Sequence, residues 1–230
     1  MNLIIAGCEY AGTTTLAKGI AEWARRTLGG TQEVHDHFKI PHIACYRNGP
    51  AAEPLTDEEL AHVMSWTPKM KEMAQRQSMN YHMPNNCEAD DYIVVGFHIE
   101  DSVYAATFFG YGHDKEPQGG LRWKYARHLE TAFMEQAPET ILVYVKASEE
   151  VIAERMAANP HPFSIVKKKD IEHVLADFEM EFQRSVFNTK IEVDTSEATV
   201  EENLAELQEA IKPHLTIEDR RRMLVQGAIG

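Results

Sequence analysis

What this 230-residue chain lacks narrows its identity first. It has only three cysteines, Cys8, Cys45 and Cys87, odd in number and far apart. They make neither a disulfide framework nor a zinc-ligand pattern, as expected of a chain kept in a reducing cytoplasm. Positive charge is scarce as well: 23 Lys and Arg stand against 36 Asp and Glu, for a net charge of −13. That sign argues against a nucleic-acid partner, whose phosphates call for a basic face. It does not exclude a single nucleotide, because a divalent cation and a few local donors can handle one polyphosphate. No apolar run reaches the roughly 20 residues of a membrane span. Met1 leads straight into a strand pattern with no cleavable signal. Internal repeats, low-complexity tracts and an obvious interdomain linker are missing too. These absences predict one soluble domain, 1–230, in the cytoplasm, with no nucleic-acid or membrane partner.

Hydrophobic residues make up 43% of the chain, enough for a substantial core. Five segments read as strands, at 3–6, 32–36, 92–99, 140–145 and 190–194. The third and fourth are near-continuous apolar runs, suited to strands covered on both faces. Helical patterns lie between them, at 14–28, 57 to about 79, 101–109, 121–135, 149–158, 170–187 and 201–211. A short terminal helix follows Thr216. Thr56-Asp57-Glu58-Glu59 and Thr199-Val200-Glu201-Glu202 fit the capping box, in which hydroxyl and carboxylate reciprocally satisfy unpaired N–H groups. Ser148 is placed to cap a third helix. Strand alternating with helix predicts an α/β fold in three layers, with a five-stranded parallel sheet wrapped on both sides. Such sheets bind ligands at the carboxyl ends of their strands. Segment 43–91 is too long for a simple crossover and reads as a helical insertion between the second and third strands.

One loop stands out at a carboxyl end. Gly7-Cys8-Glu9-Tyr10-Ala11-Gly12 leaves the first strand and opens the first helix, the layout of G-x-x-x-x-G-K-[ST], with Thr13 where the lysine would stand. Taken without its position, it is also a plain strand-to-helix turn. In position, main-chain N–H groups and the helix N-terminus converge on an anion, and neither needs the lysine. Gly7, Tyr10, Ala11, Gly12, Thr13, Thr14 and Thr15 are therefore the candidate phosphate-binding residues. The Thr14 hydroxyl falls where a Ser or Thr ligates Mg²⁺. A lost charge-assisted hydrogen bond is roughly 1.5–3 kcal/mol, tenfold or more in affinity. Lys167, Lys168 and Lys169 end a stretch, 159–169, that reads either as a basic lid over the phosphates or as a solvated charge run. Glu100 and Asp101 follow the third strand, where carboxylates can hold Mg²⁺ or deprotonate a hydroxyl, or can simply favour the start of a helix. Asp36, after the second strand, is a further base or outer magnesium ligand. His35, Asp36, His37 and His42 also permit a remote third reading, a transition-metal hydrolase.

At these residues the chain resembles the P-loop nucleoside and nucleotide kinases, thymidylate kinases and deoxynucleoside kinases in particular. GCEYAGTTTLA (7–17) looks like their phosphate loop, and its threonine at 13 is similar to cytidylate-kinase-type loops that read G-T-T. Glu100-Asp101-Ser102-Val103-Tyr104 looks like the Glu-Arg-Ser or Asp-Arg-Tyr signature after their third strand, with Asp101 in the arginine's place. ILVYVKASEEVIAERM (141–156) is similar to their fourth strand and next helix, whose arginine lies against adenine; the resemblance assigns that place to Arg155. KIEVDTSEATVEENLAELQEAI (190–211) resembles their last strand and closing helix. The resemblance implies ATP and Mg²⁺ as cofactors, with γ-phosphoryl transfer to a nucleoside, nucleoside monophosphate or similar small acceptor. Asp36, Glu100, Asp101, Lys167, Lys168 and Lys169 then become the catalytic candidates, Thr14 and Glu100 the metal ligands, and 43–91 a cover over the acceptor. Two basic positions are lost together, at Thr13 and Asp101, so the alternative is a catalytically silent nucleotide-binding protein. Arg47, Arg76, Arg122 and Arg127 are candidate replacement cations. Relatives are often dimers, and 121–135 carries apolar residues for either a homodimer or the sheet.

Overall fold

The computed structural model describes residues 1–35, 40–43, 54–84, 91–112 and 120–229. Five strands, β1 (Asn2–Ala6), β2 (Gln32–His35), β3 (Asp91–Val95), β4 (Ile141–Lys146) and β5 (Thr189–Asp194), form one parallel sheet in the order β2-β3-β1-β4-β5. The central strands are apolar because helices cover both faces: Leu3, Ile4, Ile5, Ile93, Val94, Leu142 and Val143 are all buried. The chain leaves β1 toward β2, passing β3, and leaves β3 toward β4, passing β1. The two connections therefore run in opposite directions, and a crevice opens between the carboxyl ends of β1 and β3.

The helices are α1 (Thr13–Thr27), α2 (Asp57–Met64), α3 (Pro68–Tyr81), α4 (Phe97–Tyr104), α5 (Gly120–Gln136), α6 (Glu149–Ala158), α7 (Ile171–Arg184), α8 (Val200–Ile211) and α9 (Ile217–Ile229). They fall into two groups: α1 packs with α8 and α9, while α4 packs with α5 and α7. Right-handed crossovers in opposite directions put these groups on opposite faces, which makes the three layers. The apolar stripe of α1, Leu16, Ala17, Ile20, Trp23 and Ala24, has the helical spacing that this packing requires. Capping boxes open α2 and α8, and the Ser148 hydroxyl caps α6. None of the described helices is long and apolar enough to cross a membrane.

Four boundaries differ from the sequence expectation. The third strand stops at Val95 rather than at 99, because Gly96 (φ 88°) and Phe97 (φ 53°) turn the backbone into α4. The apolar run continues only because this helix is itself buried, and a short apolar run does not tell strand from helix. The long pattern from 57 to 79 is two helices, since Pro68 cannot continue α2 and instead starts α3 behind the Thr67 cap. Residues 105–109 form a π-helical turn closed by Gly110 in the left-handed region. Finally, α7 ends at Arg184, short of 187. Of the 43–91 segment, described residues 54–84 contain α2 and α3.

Candidate functional site

The loop after β1 has a shape that its sequence dictates. Ala11 N–H donates to the Cys8 carbonyl at 3.0 Å, Tyr10 takes φ 67°, and Gly12 takes φ 99° as the residue before α1. Gly7 passes so near the end of β4 that a Cβ there would lie 2.3 Å from the Val145 carbonyl oxygen. Only glycine fits. Where α2, α3, α6 and α8 each open on a Thr or Ser hydroxyl, α1 opens on Gly12 with no side-chain cap. The positive end of its dipole is turned toward the crevice, as an anion-binding loop requires.

Three side chains hold the loop from outside. The Arg155 guanidinium donates to the carbonyls of Tyr10 (3.0 Å) and Ala11 (3.4 Å) and to both oxygens of Thr195. Burial lowers the pKa of Arg155. The Thr195 hydroxyl donates to the Ala11 carbonyl at 2.8 Å. The Tyr104 hydroxyl accepts from the Glu9 N–H at 3.1 Å. Burial, with Cys8, Glu100 and Glu9 adding negative charge nearby, holds that phenol well above its ordinary range, so it remains a neutral hydroxyl.

A fourth contact joins the loop to 159–169. Glu9, only 8% exposed, accepts from the Ser164 hydroxyl (2.7 Å), the Val166 N–H (3.1 Å) and the Ile165 N–H (3.4 Å). The neighbouring Tyr10 stacks on His161, with ring centroids 4.9 Å apart, and its hydroxyl accepts the His161 N–H at 3.1 Å. The segment is thus docked on the loop through Glu9 and Tyr10. Lys167 turns away, donating to the Ser164 carbonyl, and Lys168 and Lys169 are exposed in a short 3₁₀ turn ahead of α7.

Two clefts meet at this loop. One, of about 400 Å³, is lined by Gly7, Glu9, Thr14, His42, Asp57 and Glu100, among others. The other, of about 550 Å³, runs over Gly12 and Thr15 toward Arg155, Thr195 and Asn203. Tyr10, Thr13, Thr14 and His161 line both. Among the described residues, the first cleft is lined by no lysine or arginine, and none of Lys167, Lys168 and Lys169 lines either one.

The sequence candidates sort accordingly. Gly7, Tyr10, Thr13, Thr14 and Glu100 come together around the first cleft, while Ala11, Gly12, Thr15 and Arg155 lie along the second. Glu100 sits in the first turn of α4 with its carboxylate folded over Gly96, where a Cβ would lie 2.5 Å away. Asp101 does not face the crevice: it is buried and accepts the Tyr111 hydroxyl at 2.7 Å. Asp36 and His37 lie outside the described residues, as does Arg47. His35 is buried against His82 and Tyr92, and no cluster of three potential metal ligands exists among the described residues. Arg76 bonds Glu72 and lies over Tyr125, and Arg127 pairs with Glu130 and Glu181, so neither reaches the crevice. Arg122 falls in the first turn of α5. Sequence reasoning passed over Glu9, Asp57, His161 and Thr195. For Glu9 a signal existed, since a carboxylate inside an anion-binding loop must be satisfied by something else.

Oxygen donors suited to a small hard cation are present. The Thr14 hydroxyl and the Glu100 carboxylate line one cleft, and Mg²⁺ needs only one or two protein oxygens when phosphates and water complete its shell.

A parallel sheet in this order, with a glycine-framed loop leading from the central strand into an uncapped helix, defines a P-loop α/β protein. This chain has the fold of the P-loop nucleoside and nucleotide kinases. A deoxyadenosine kinase from M. mycoides with bound dATP superposes with a TM-score of 0.58 at 13% identity, over 92% of this chain and 100% of that one. The YorR protein from Bacillus subtilis, in complex with phosphorylated GDP, gives 0.53 at 15%, over 94% and 99%. Thymidylate kinase from Candida albicans gives 0.52 at 10%, over 96% and 92%. No family model matches the chain, and no curated protein does.

Proposed function

We propose that the protein transfers the γ-phosphoryl group of ATP, with Mg²⁺, to a nucleoside, nucleoside monophosphate or similar small hydroxyl acceptor. The observation that carries this reading is the uncapped opening of α1 behind Gly7 and Gly12, facing Glu100 across one cleft. Amides of the loop would hold the phosphates, with Arg155 and Thr195 keeping its carbonyls turned outward. The donor base would lie in the second cleft, toward Arg155 and Asn203. Thr14 and Glu100 would hold Mg²⁺, which neutralises charge on the phosphates when bound. Glu100, in the first turn of α4, would also take the proton of an acceptor hydroxyl. Phosphoryl transfer depends mostly on positioning and charge neutralisation, so a relocated donor can replace the loop lysine. The nucleotides held by the structural neighbours support this choice of ligand.

A coupled ATPase assay across nucleosides and monophosphates tests the reading, repeated with Thr14→Ala. Turnover with some acceptor, lost in the variant, is the expected result; turnover untouched by the change would remove the loop from the reaction.

One observation favours a second reading. Thr13 stands in the lysine's place and Asp101 is committed to Tyr111, so two basic positions of such loops and signatures are absent here. A silent nucleotide-binding protein would bind ATP calorimetrically and turn over no acceptor.

A further inference from the structure

On the nucleotide-binding reading above, we propose that His161 takes the place of the absent loop lysine and contacts the phosphate chain where the two clefts meet.

The described basic side chains near the loop are otherwise committed. Arg155 is bonded to loop carbonyls and Thr195. Lys167 is bonded to Ser164, and its two neighbours stand exposed outside both clefts. His42 lines one cleft only, edge-on to Phe163.

His161 differs on each count. It lines both clefts together with Tyr10, Thr13 and Thr14, the residues the two clefts share. Its face lies on Tyr10 and its main-chain N–H is held by the Tyr10 hydroxyl, which fixes the ring's place. Stacking uses the ring face and leaves both nitrogens at the edge; among the described residues no group bonds them. An imidazole donates N–H bonds to phosphate oxygens and carries a charge when protonated.

The segment that delivers it is fixed from the loop itself. Glu9 bonds residues 164–166 a few positions further along, so the loop holds at both points the strand of chain that carries the histidine. A carboxylate at position 9 and an aromatic at position 10 thereby acquire a purpose. They replace a lysine on the loop with a histidine docked onto it.

The test is calorimetric titration of ATP, ADP and AMP, with Mg²⁺, into the full chain and into His161→Gln and His161→Lys. Loss of one charge-assisted contact weakens binding about tenfold. His161→Gln is expected to lose that factor for ATP while AMP changes less than about twofold, and His161→Lys to recover the ATP affinity. ATP binding unchanged in His161→Gln overturns the assignment. So does equal weakening of ATP and AMP that lysine does not rescue, since that marks a role in shaping the loop alone. A wild-type chain that binds no ATP overturns the nucleotide reading and this assignment together, whereas binding indifferent to His161 overturns this assignment only.

Discussion

The Ser164 hydroxyl donates to the Glu9 carboxylate at 2.7 Å, across 155 positions of sequence. The loop that opens α1 therefore carries a buried carboxyl group of its own, and 159–169 supplies donors to it.

Replacing Glu9 by glutamine keeps the shape but turns one acceptor oxygen into a donor, facing the Ile165 amide at Oε1 or the Val166 amide at Oε2. A buried donor without a partner costs about 1–3 kcal/mol. Glu9→Gln should lower the melting temperature by several degrees and speed amide exchange at 161–169 ahead of the sheet. Unchanged exchange there would show that Glu9 does not hold the segment.

Gly7 and Thr14 lie in one loop, yet their substitutions should separate fold from ligand. An added Cβ at Gly7 meets backbone, the Val145 carbonyl at 2.3 Å, which cannot step aside. Gly7→Ala should cost about 1–3 kcal/mol in urea unfolding. Thr14 is half-exposed at the mouth of α1. Thr14→Ala should melt within a degree or two of wild type while losing about tenfold in Mg²⁺-dependent nucleotide affinity.

On α4, His98 and Glu100 stand two residues apart with opposite duties. His98 and Glu130 are buried partners at 2.6 Å, and Glu130 also takes Arg127 and the Val186 N–H. Burial alone would raise the Glu130 pKa, but His98 and Arg127 outweigh it, and the carboxyl ends below its ordinary value. His98→Ala takes one partner from this carboxylate, leaves it Arg127 and the Val186 N–H, and should cost about 1–3 kcal/mol. Glu100→Gln should leave the melting temperature nearly unchanged and reduce turnover at least about a hundredfold.

Acid should also act on the far side of the molecule. Burial pushes the Asp219 pKa upward, but Arg222, the N-terminal ammonium and Thr216 together bring it from 3.8 down to about 2. A depressed folded pKa gives stability that is full above about pH 4 and lost as pH falls toward 2. In urea titrations between pH 5 and 2, Asp219→Asn should start less stable and lose less. Parallel curves for the two proteins would show that Asp219 contributes nothing to acid sensitivity.

The order of strands and helices was legible because α/β chains write it plainly: apolar runs for strands, hydroxyl caps for α2, α6 and α8, glycines at the loop. Boundaries were less so. The run from Tyr92 to Ile99 reads as one strand, and only the left-handed backbone at Gly96 and Phe97 reveals that Glu100 belongs to a helix. Around the candidate site, the spacing brought Gly7, Gly12 and Thr14 to notice, and they line the two clefts. Glu9 and His161 were not, because their meaning lies in a contact across 155 and 151 positions that no local pattern encodes. The lysine run drew notice by charge alone, yet charge on an exposed turn says little about where its side chains point.

Arg222 spans the interior end of β3, donating to both carboxylate oxygens of Asp91 and to Asp219. Helix α9 is thus no ornament on the outside of the domain. Anyone trimming the chain upstream of this arginine, to tidy a ragged tail for crystals or fusions, would take one cation from an aspartate with no exposure to water, which also pairs with the N-terminal ammonium. Shortened versions should be judged by their solubility before any assay is attempted, and the cut is better placed beyond residue 222.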